Sequence, residues 1–422
     1  MSWERQPLGS ICEIVSGITK DSKKQGDDYR EVPYLRVANV QRLRLDLSEV
    51  KTIPARKSAI ASYRLEPGDI LLNEGGDRDK LGRGWIWQGQ IGECIHQNHV
   101  FRARIRDGQA IPKWIAYFAN TDEARAYFLA TGKQTTNLAS ISKKNLSALP
   151  VPLPPVEVQE AIVAEIDTQL SLVDETVATL QAIQAKIKQA RASILKAAVE
   201  GRLMETEAEI EAESSEDAGP LPHNWELAQL GSICTVTGGV TKNSSKNKVG
   251  VSIPYLRVAN VYANRLDLGE VKTITLPAVS IPKYRLEKGD LLIVEGNGSA
   301  DQLGRVAIWD GSIDNCVHQN HLIKVRPKTP ALSKYLLAYI NSVHGRAQIK
   351  QVASSTSGLH TLSISKVQRI QIPVPPPQER GMIITEIERR LSVLDQVEAT
   401  VNASLRRCGQ LKQAVLKRAF GG

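Results

Sequence analysis

The chain repeats itself at one long period. Three strings occur twice: PYLRVANV at 33–40 and 254–261, LGSIC at 8–12 and 230–234, and HQNH at 96–99 and 318–321. The distance between the copies exceeds half of the 422 residues, so the pattern indicates two copies of one domain-sized unit and not a solenoid of short repeats. We therefore expect two similar surfaces within one molecule.

The charge is unevenly distributed along the chain. The formal net charge is +9, but residues 205–217 (ETEAEIEAESSED) carry seven acids and no base. The rest of the chain therefore holds 54 bases against 38 acids. Such a basic body indicates a polyanionic partner, with nucleic acid first, although a merely soluble basic protein remains the alternative. The acidic stretch itself is typical of a solvated linker.

The expected cellular compartment of the protein follows from features that its sequence lacks. No apolar run reaches the roughly 18 residues that a membrane span requires, and the first ten residues lack the apolar stretch of a signal peptide. We expect a cytoplasmic protein without a membrane partner. The five cysteines fit a reducing compartment, because no CxxC occurs and each cysteine stands alone among apolar residues. They predict buried thiols, and neither a disulfide nor a metal site.

Each copy has the same internal order. A segment of about 150 residues comes first, rich in alternating apolar runs such as YLRVANV and VFRARI, which predict strands separated by turns. Helical patterns lie between them, as in 111–130, so the predicted fold class is α+β, with two similar mixed α/β domains. A proline-rich run follows at 149–155 and 372–377 and predicts a stiff connection into a helix.

A long helix is predicted after each proline run, over about 156–201 and 378–420. Apolar residues recur every seven positions along both helices, which is typical of a coiled-coil seam. The seam positions are Ile166, Val173, Leu180, Ile187 and Ile194 in the first helix and Ile387, Leu394, Val401, Cys408 and Val415 in the second. We expect the two helices to pair with each other; packing of each helix on its own globular domain is the alternative.

The chain lacks the signatures of catalytic proteins that act on DNA. GKQ at 132–134 has neither the Ser or Thr nor the upstream glycine of a P-loop. The prolines at 154–155 and 375–377 do not belong to the Asn/Asp-Pro-Pro-Tyr/Phe cluster of amino-methyltransferases. GNG at 296–298 follows a predicted strand, but its counterpart within ILLNEGGDR at 70–78 has lost the spacing, so we predict a turn there and no cofactor site.

HQNH is the other candidate for a chemical site. Two histidines three positions apart could bind a metal or act as an acid–base pair, but no carboxylate or cysteine at a fixed spacing completes a site in both copies. Because apolar strands flank the motif, we predict a buried hydrogen-bond network, with DNA contact as the alternative. The residues are His96, Asn98 and His99 in the first copy and His318, Asn320 and His321 in the second.

In combination these strings resemble the specificity subunits of type I restriction-modification systems. The likeness is carried by PYLRVANV, GDLLIVEGNGSADQLGR, CVHQNHL, and ISK followed by a proline run and Gln-Glu at 159–160 and 378–379. HNWELAQLGSIC is also similar to the usual beginning of such a domain. The resemblance covers essentially the whole chain.

The resemblance implies a non-catalytic protein whose two target recognition domains each read one half of a bipartite double-stranded DNA sequence. It implies that the long helices set the spacer and dock two modification subunits, which methylate adenine, and that two restriction subunits complete the assembly. S-adenosylmethionine, Mg²⁺ and ATP are then expected in those partner subunits, and no cofactor in this chain. Because half-sites are related by a near two-fold axis, the helices should pair as an antiparallel coiled coil.

The predicted organisation has five segments with a pseudo-two-fold internal repeat. They are recognition domain 1 at 1–155, a central spacer helix at 156–203, an acidic linker at 204–221, recognition domain 2 at 222–377 and a distal spacer helix at 378–422.

Differences between the copies locate the candidate base-reading residues. Identical stretches are expected to maintain the fold or bind a shared partner, whereas polar loops that differ are expected to read different bases. The loop pairs are 19–32 with 241–253, 74–83 with 295–305, and 132–140 with 352–361. The predicted DNA-binding residues are Lys20, Lys23, Lys24, Arg78, Arg83, Lys133, Gln134 and Asn137 in the first copy and Lys242, Asn243, Lys246, Asn297, Gln302, Arg305 and Ser355 in the second.

Four arginines match across the copies, which favours a shared role over the reading of different bases. For Arg83 and Arg305 we expect a phosphate contact or a structural role. Arg36 and Arg257, inside PYLRVANV, allow a buried ion pair or a phosphate contact.

Two rival functions can be weighed against the resemblance. A free-standing bipartite DNA-binding or regulatory protein of the same architecture needs no docking surface on its helices. A specificity subunit should instead leave apolar residues such as Ile162, Ile183 and Leu195 outside the seam. A self-sufficient methyltransferase or nuclease lacks the motifs that it would need.

Overall fold

The computed structural model describes residues 3–19, 28–77, 80–106, 108–134, 139–204, 222–242, 250–297, 299, 302–356 and 359–421. The chain forms two compact units. The first comprises Met1–Gln181 with Asn402–Gly422, and the second comprises Ala182–Val401. Each unit therefore holds one globular copy together with parts of both long helices. None of the described helices is long and apolar enough to cross a membrane.

Short strands form the body of the first unit. Its strands are β1 (Arg5–Pro7), β2 (Cys12–Ser16), β3 (Tyr29–Leu35), β4 (Val40–Gln41), β5 (Arg44–Leu45), β6 (Lys51–Arg56), β7 (Ile70–Asn73), β8 (Gly75–Gly76), β9 (Gly84–Ile86), β10 (Ile95–His96), β11 (Val100–Ile105), β12 (Lys133–Gln134), β13 (Ala139–Ser140) and β14 (Pro150–Pro152). An antiparallel sheet has the order β2-β11-β7-β9, and a second has the order β10-β3-β6, with β10 parallel to β3.

The helices of the first unit begin where the sequence supplies a suitable first turn. Pro112 opens one of them, and the Thr121 hydroxyl accepts a hydrogen bond from the Ala124 amide at 3.2 Å to cap the next. Both lie in the segment 111–130 that the sequence predicts as helical. The helices are α1 (Leu8–Ile11), α2 (Lys57–Tyr63), α3 (Pro112–Ala119), α4 (Asp122–Thr131), α5 (Lys143–Ser147) and α6 (Val156–Val199).

The second unit repeats this order of strands. They are β15 (Glu226–Gln229), β16 (Cys234–Gly238), β17 (Val251–Leu256), β18 (Val261–Tyr262), β19 (Arg265–Leu266), β20 (Lys272–Leu276), β21 (Leu291–Val294), β22 (Gly296–Asn297), β23 (Val306–Ile308), β24 (Val317–His318), β25 (Leu322–Pro327), β26 (Ser354–Thr356), β27 (Leu359–Thr361) and β28 (Gln371–Val374). The sheets β16-β25-β21-β23 and β20-β17-β24 match those of the first unit, so the predicted α+β class and internal repeat are confirmed.

Helices of the second unit occupy the same places as those of the first. They are α7 (Leu230–Ile233), α8 (Ile281–Tyr284), α9 (Ser333–Asn341), α10 (Val343–Val352), α11 (Ile364–Gln368) and α12 (Pro377–Phe420), with 3-10 turns at Val258–Asn260, Ala278–Ser280 and Pro330–Leu332. The proline-rich runs before α6 and α12 are extended, because β14 and β28 pair antiparallel with β1 and β15.

The two long helices pair antiparallel within each unit. In the first unit Lys412 of α12 forms an ion pair with Asp174 of α6. In the second, the Arg191 guanidinium lies 2.6 Å from the Asp395 carboxylate and 2.7 Å from the Glu398 carboxylate. Higher numbers in α6 thus meet lower numbers in α12, which is the direction that the sequence predicts. Seven of the ten seam residues are buried, and Leu180, Ile194 and Leu394 are half-buried.

The end of α12 packs into the globular core of the first unit. The Phe420 ring lies 4.4 Å from that of Trp114 and 5.5 Å from that of Phe118, centroid to centroid. All three residues are buried in one apolar cluster, which also contains Ile166 and Leu170 of α6. The helix pair is therefore part of the core of the unit and not an appendage to it.

The repeated string PYLRVANV is explained by a buried asparagine. The Asn39 side chain accepts a hydrogen bond from the Arg36 amide and donates to the carbonyl oxygens of Asp46 and Glu49, each at 2.9 Å. Asn260 makes the equivalent three bonds in the second unit. Because each asparagine is only 3% exposed, loss of these bonds would leave buried polar groups unpaired. The string therefore maintains the fold.

A buried ion pair also occurs in both units. The Asp69 carboxylate accepts two hydrogen bonds from the Arg104 guanidinium, at 2.7 and 2.8 Å, and Asp290 accepts two from Arg326, both at 2.7 Å. Both aspartates are 1% exposed. Such bidentate pairs fix the geometry of both side chains.

All five cysteines are free and buried, as the sequence predicts. Burial raises the pKa of Cys12, Cys94, Cys234 and Cys316 to about 12. The thiolate, which is the reactive form, is therefore scarce at neutral pH at these four positions.

Candidate nucleic-acid interface

The HQNH motif fixes the beginning of the first variable loop. The Ile18 amide donates to the His96 carbonyl oxygen at 2.9 Å, and the Asn98 amide donates to the Ile18 carbonyl oxygen at 2.9 Å. Ile18 is the residue before the loop 19–32, so the strand that ends in this motif anchors the loop. These are backbone bonds, and their geometry depends on Gly17, where an added Cβ would lie 2.0 Å from the His96 carbonyl oxygen.

The same motif anchors the other two loops through Glu74. The Glu74 amide donates to the His99 carbonyl oxygen at 2.9 Å, and the Glu74 carbonyl oxygen accepts from the Ile141 amide at 2.8 Å. Glu74 begins the loop 74–83, and Ile141 follows the loop 132–140. The backbone of one short motif is thus hydrogen-bonded, directly or through Glu74, to residues at the ends of all three variable loops of the first copy.

The second copy has an equivalent arrangement. Its corresponding bonds are Val240 N to His318 O at 2.8 Å, Asn320 N to Val240 O at 3.0 Å, Glu295 N to His321 O at 3.0 Å, and Leu362 N to Glu295 O at 2.7 Å. The backbone of the HQNH segment therefore anchors the loops in the same way in both copies.

A small sheet joins two of the loops directly. In the first unit β13 pairs with both β8 and β12, which brings the loop 74–83 beside the loop 132–140. In the second, β27 pairs with both β22 and β26 in the same order. Segments that are distant in sequence thus share one surface. The sequence predicts a turn at GNG (296–298). This prediction is wrong for its first two residues, because Gly296–Asn297 is strand β22.

Of the predicted buried histidine network, the structure shows one buried histidine in each copy, whose Nδ1 atom lies 2.7 Å (His96 to Val100) or 3.1 Å (His318 to Tyr284) from a backbone carbonyl oxygen. His96 and His318 are fully buried, but the side chains of His99 and His321 are 56% and 59% exposed. The sequence offers no carboxylate at a fixed spacing, yet the fold brings one to each exposed histidine. His99 Nδ1 lies 2.6 Å from a Glu74 carboxylate oxygen, and His321 Nδ1 lies 3.3 Å from one of Glu295.

The glutamates were missed because their spacing varies between copies and their contact crosses between strands. Glu74 precedes His99 by 25 residues, whereas Glu295 precedes His321 by 26. The shared Glu-Gly at 74–75 and 295–296, with which the loops 74–83 and 295–305 begin, was the available signal. The structure groups the described His, Cys, Asp and Glu side chains nowhere in a set of three or more that could hold a metal ion.

The buried histidines predict acid sensitivity of both units. Burial lowers the pKa of His96 and of His318 to about 4, so both are neutral in the folded chain at neutral pH. The unfolded chain, with a histidine pKa near 6.5, binds more protons between pH 6.5 and 4, and stability falls as the pH is lowered through that window. We expect each histidine to remove about 3 kcal/mol of unfolding free energy across it.

Denaturant unfolding at a series of pH values measures this effect. His96→Gln and His318→Gln variants should each flatten the pH dependence, whatever they do to stability at pH 7. An unchanged slope in both variants would show that other groups cause the acid sensitivity.

Only some of the predicted DNA-binding residues fall within the described residues. The structure describes Arg83, Lys133, Lys242, Gln302 and Arg305, and the side chains of Lys133, Lys242 and Gln302 are exposed. For Gln134, Asn297 and Ser355 it describes the backbone, which lies in β12, β22 and β26. The predictions that lie outside the described residues are Lys20, Lys23, Lys24, Arg78, Asn137, Asn243 and Lys246.

A stacked cluster in the second unit was not predicted from the sequence. The guanidinium carbons of Arg265 and Arg305 lie 4.8 and 5.6 Å from the centroid of the Tyr262 ring. Cation–π contact of this kind holds an arginine in place without neutralising its charge. Arg305 thus has a structural contact, which is one of the two roles predicted for it.

Arg36 and Arg257 each form an ion pair at the surface. Nη2 of Arg36 lies 3.4 Å from a Glu49 carboxylate oxygen, and Nη2 of Arg257 lies 3.5 Å from one of Glu270. The arginines are half-buried, but the glutamates are 72% and 75% exposed. The prediction of a buried ion pair is therefore wrong for both arginines. Ion pairs that are this exposed contribute little to stability.

The long helices expose apolar side chains other than the predicted ones. The prediction for Leu195 is wrong, because it is 8% exposed and packs in the core of the second unit; Ile162 and Ile183 are half-buried. The heptad position of a residue does not indicate which neighbouring element covers its side chain. Leu172 of α6 is instead 60% exposed, and Val393, at the equivalent position of α12, is 51% exposed.

Comparison with known proteins matches nearly the whole chain to one family. A family model described as type I restriction modification DNA specificity domain matches residues 1–189 and 222–407. The type I restriction enzyme StySPI specificity subunit of Salmonella potsdam is 27% identical and the EcoKI specificity subunit of Escherichia coli K12 is 25% identical. Each alignment covers 100% of this chain and 89% of the relative.

Solved structures share the fold at low sequence identity. A chain from the study of complex assembly and conformational transition of the type I R-M system superposes with a TM-score of 0.72 at 16% identity, covering 99% of this chain and 97% of that one. The HsdS subunit from Thermoanaerobacter tengcongensis gives a TM-score of 0.50 at 16% identity, covering 100% and 97%.

Proposed function

The chain belongs to the family of type I restriction-modification specificity subunits, and from this premise we propose that it selects the DNA target without catalysing a reaction itself. Each globular copy reads one half of a bipartite sequence in double-stranded DNA. The observation that carries the proposal is the convergence of three variable polar loops on one identical HQNH scaffold, twice in the chain. A shared scaffold with divergent loops suits two readers of different half-sites.

The reading residues are proposed from the loops that converge. Exposed Lys133, Lys242 and Gln302 would contact phosphates or purine edges, since lysine neutralises phosphate and glutamine can pair with adenine in the major groove. Arg305, stacked on Tyr262, would contact a phosphate, as would Arg83 in the first copy. The remaining predicted loop residues are proposed for the same role, from sequence alone.

Docking of modification subunits is proposed for the outer faces of the long helices. Leu172 and Val393 occupy equivalent positions in the two copies and are both more than half exposed. Large exposed apolar side chains on a charged helix mark interaction sites. An equivalent pair suits two copies of one partner, and a free-standing DNA-binding protein would have no use for it. The helices would also set the spacer between the half-sites.

The cofactors of the reaction are assigned to the partners. S-adenosylmethionine would be held by the two modification subunits, and Mg²⁺ and ATP by the partner subunits, including two restriction subunits. The assembly would act on DNA in the cytoplasm.

Charge placed at both docking positions should block assembly. Leu172→Glu with Val393→Glu is expected to weaken binding of the cognate modification subunit at least tenfold, because a buried unpaired carboxylate is costly at an interface. Leu172→Met with Val393→Ile is the matched control and should bind normally. Size-exclusion chromatography of co-expressed subunits measures the outcome. Normal assembly of the glutamate variant would place the docking surface elsewhere.

Methylome sequencing of the host with and without this chain tests the function. We expect one bipartite N6-methyladenine motif to disappear with the chain. Exchange of the three loops of the first copy, with HQNH retained, should then alter one half-site and leave the other unchanged. If no motif is lost while the chain binds DNA and recovers no methyltransferase, the free-standing DNA-binding protein becomes the better explanation.

A further inference from the structure

The second unit contains an apolar pocket that the proposed function does not use. Its volume is 610 Å³, and it lies where the first turns of α12 meet the beginning of α9. Ile308, Trp309 and Ile384 contribute apolar wall. None of the residues that line the pocket belongs to the three variable loops, although Ile308 lies three residues after the loop 295–305.

An unpaired arginine lines this pocket. Arg380 is only 8% exposed, and its guanidinium makes no hydrogen bond or ion pair with any residue that the structure describes. Its side-chain nitrogens are not among the described atoms that are both fully buried and unpaired, so they retain some exposed surface. The Ser333 hydroxyl, also on the lining, is fully enclosed and unpaired among the described residues. A nearly buried cation without a counter-charge is unfavourable, and an anion in the pocket would relieve it.

The first copy satisfies the equivalent position internally. Gln159 takes the structural place of Arg380, because its amide donates to the Pro155 carbonyl oxygen as the Arg380 amide donates to that of Pro376, and it is 0% exposed. Its amide oxygen accepts from the Ile111 amide at 3.1 Å, and its amide nitrogen donates to the carbonyl oxygens of Gln109 and Pro154 at 2.9 and 2.8 Å. That position carries no charge and has no unmet hydrogen bond. Of these two equivalent positions, only the one in the second copy therefore holds a cation that an anion could pair with.

We propose that the pocket binds a segment of a protein partner in which a carboxylate lies beside large apolar side chains. Three cations line the pocket, Arg380, Lys288 and Lys334, against one carboxylate, Asp310. The Lys334 ammonium lies 2.5 Å from a Glu388 carboxylate oxygen, whereas the Arg380 guanidinium has no carboxylate partner among the described residues and could pair with one bidentately. The apolar wall favours a peptide over a sugar-phosphate backbone, because burial of apolar surface contributes about 25 cal/mol per Å².

The identity of the partner rests on the proposed function, in which the docked protein is the modification subunit. Because Gln159 replaces Arg380 in the first copy, only one of two docked modification subunits would make this contact. The two subunits would then bind with unequal affinity to a specificity subunit whose helix surfaces are otherwise equivalent.

Substitutions on the first turns of α12 test the pocket in the full chain. Arg380→Gln, which installs the residue of the first copy, and Gly381→Trp, which fills the pocket, should each weaken one of two binding steps of the modification subunit at least tenfold. Gly381→Ala is the control for folding, because an added Cβ there meets no atom within 4 Å. It should bind like the parent chain, as measured by mass photometry over a concentration series.

Zero-length carbodiimide cross-linking of the assembled complex tests the chemistry of the occupant. We expect Lys288 or Lys334 to be joined to an Asp or Glu that is flanked by apolar residues of the modification subunit. Unchanged binding of both pocket variants, or cross-links to Glu388 alone, would overturn the inference and leave the proposed function intact. A pocket variant that loses DNA affinity as the free chain would also overturn it. Failure of the parent chain to recover any modification subunit would instead overturn the proposed function.

Discussion

Replacing Asp69 by Ala should cost the first unit about 1–3 kcal/mol of unfolding free energy, because groups that donate to a buried carboxylate lose their partner while Arg104, whose side chain is 30% exposed, keeps its ion pair with Glu66. Arg104 would lose both of its short bonds to the carboxylate, at 2.7 and 2.8 Å. The Glu66 amide, which donates to the same carboxylate at 2.7 Å, would also lose its partner. One substitution thus removes three hydrogen bonds from a residue that is 1% exposed.

Two controls separate the buried pair from ordinary surface charge. Glu66→Ala removes the other carboxylate that contacts Arg104, at 2.9 Å, but Glu66 is 58% exposed and its loss should cost less than about 1 kcal/mol. The double variant Asp69→Ala with Arg104→Met strands no charge and should recover part of the loss. Urea unfolding followed by tryptophan fluorescence gives the values. A cost below about 1 kcal/mol for Asp69→Ala would show that the pair does not stabilise the unit.

Asp290→Ala is the equivalent change in the second unit and should behave in the same way. Arg326 lies in the place of Arg104 and makes both bonds at 2.7 Å. If the unfolding transitions of the two units are separate, each substitution should shift only its own. The internal repeat thus supplies a replicate of the experiment within one chain.

The sequence predicted those features that depend on local periodicity. The heptads of α6 and α12 persist over about 40 residues, so helix position, seam and pairing follow from a pattern that tertiary context does not override. Comparison of the two copies identified the three loop pairs, because divergence between repeats is visible without a structure. It did not reveal that β13 and β27 join two of the loops, since such pairing depends on contacts between segments that are distant in sequence.

Side-chain partners were harder to predict than elements. His96 and His99 lie three positions apart in one motif, yet the first is fully buried and the second is exposed beside Glu74. Leu195 has the apolar character of a docking residue but packs into the core of its own unit. In both cases the outcome depends on which element lies opposite, and that information is absent from spacing alone.

Two adjacent glycines provide the sharpest test of the scaffold that holds the loops. A Cβ added at Gly239 would lie 2.3 Å from the carbonyl oxygens of both His318 and Gln319, which is backbone that cannot rotate away. A Cβ added at Gly238 would meet nothing closer than the Ile364 Cδ1 atom at 3.4 Å, an ordinary contact. The two positions are neighbours in one segment, yet only one of them has room for a methyl group.

Gly239→Ala should therefore abolish reading by the second copy. The backbone must move apart, which breaks the bonds of Val240 with His318 and with Asn320 that hold the beginning of the loop 241–253. We expect at least a tenfold loss of affinity for the bipartite target and a stability cost of about 1–3 kcal/mol from overpacking. Gly238→Ala should bind normally. Fluorescence anisotropy with target DNA and with DNA scrambled in one half-site measures both variants.

The half-site that is affected distinguishes a local from a global effect. Gly239→Ala should lose discrimination only at the half-site of the second copy, whereas Gly17→Ala, with its Cβ 2.0 Å from the His96 carbonyl oxygen, should lose it only at the other. Equal discrimination by Gly239→Ala and Gly238→Ala would mean that the HQNH scaffold does not position the loops. Loss at both half-sites in either variant would mean that the two copies do not read DNA independently.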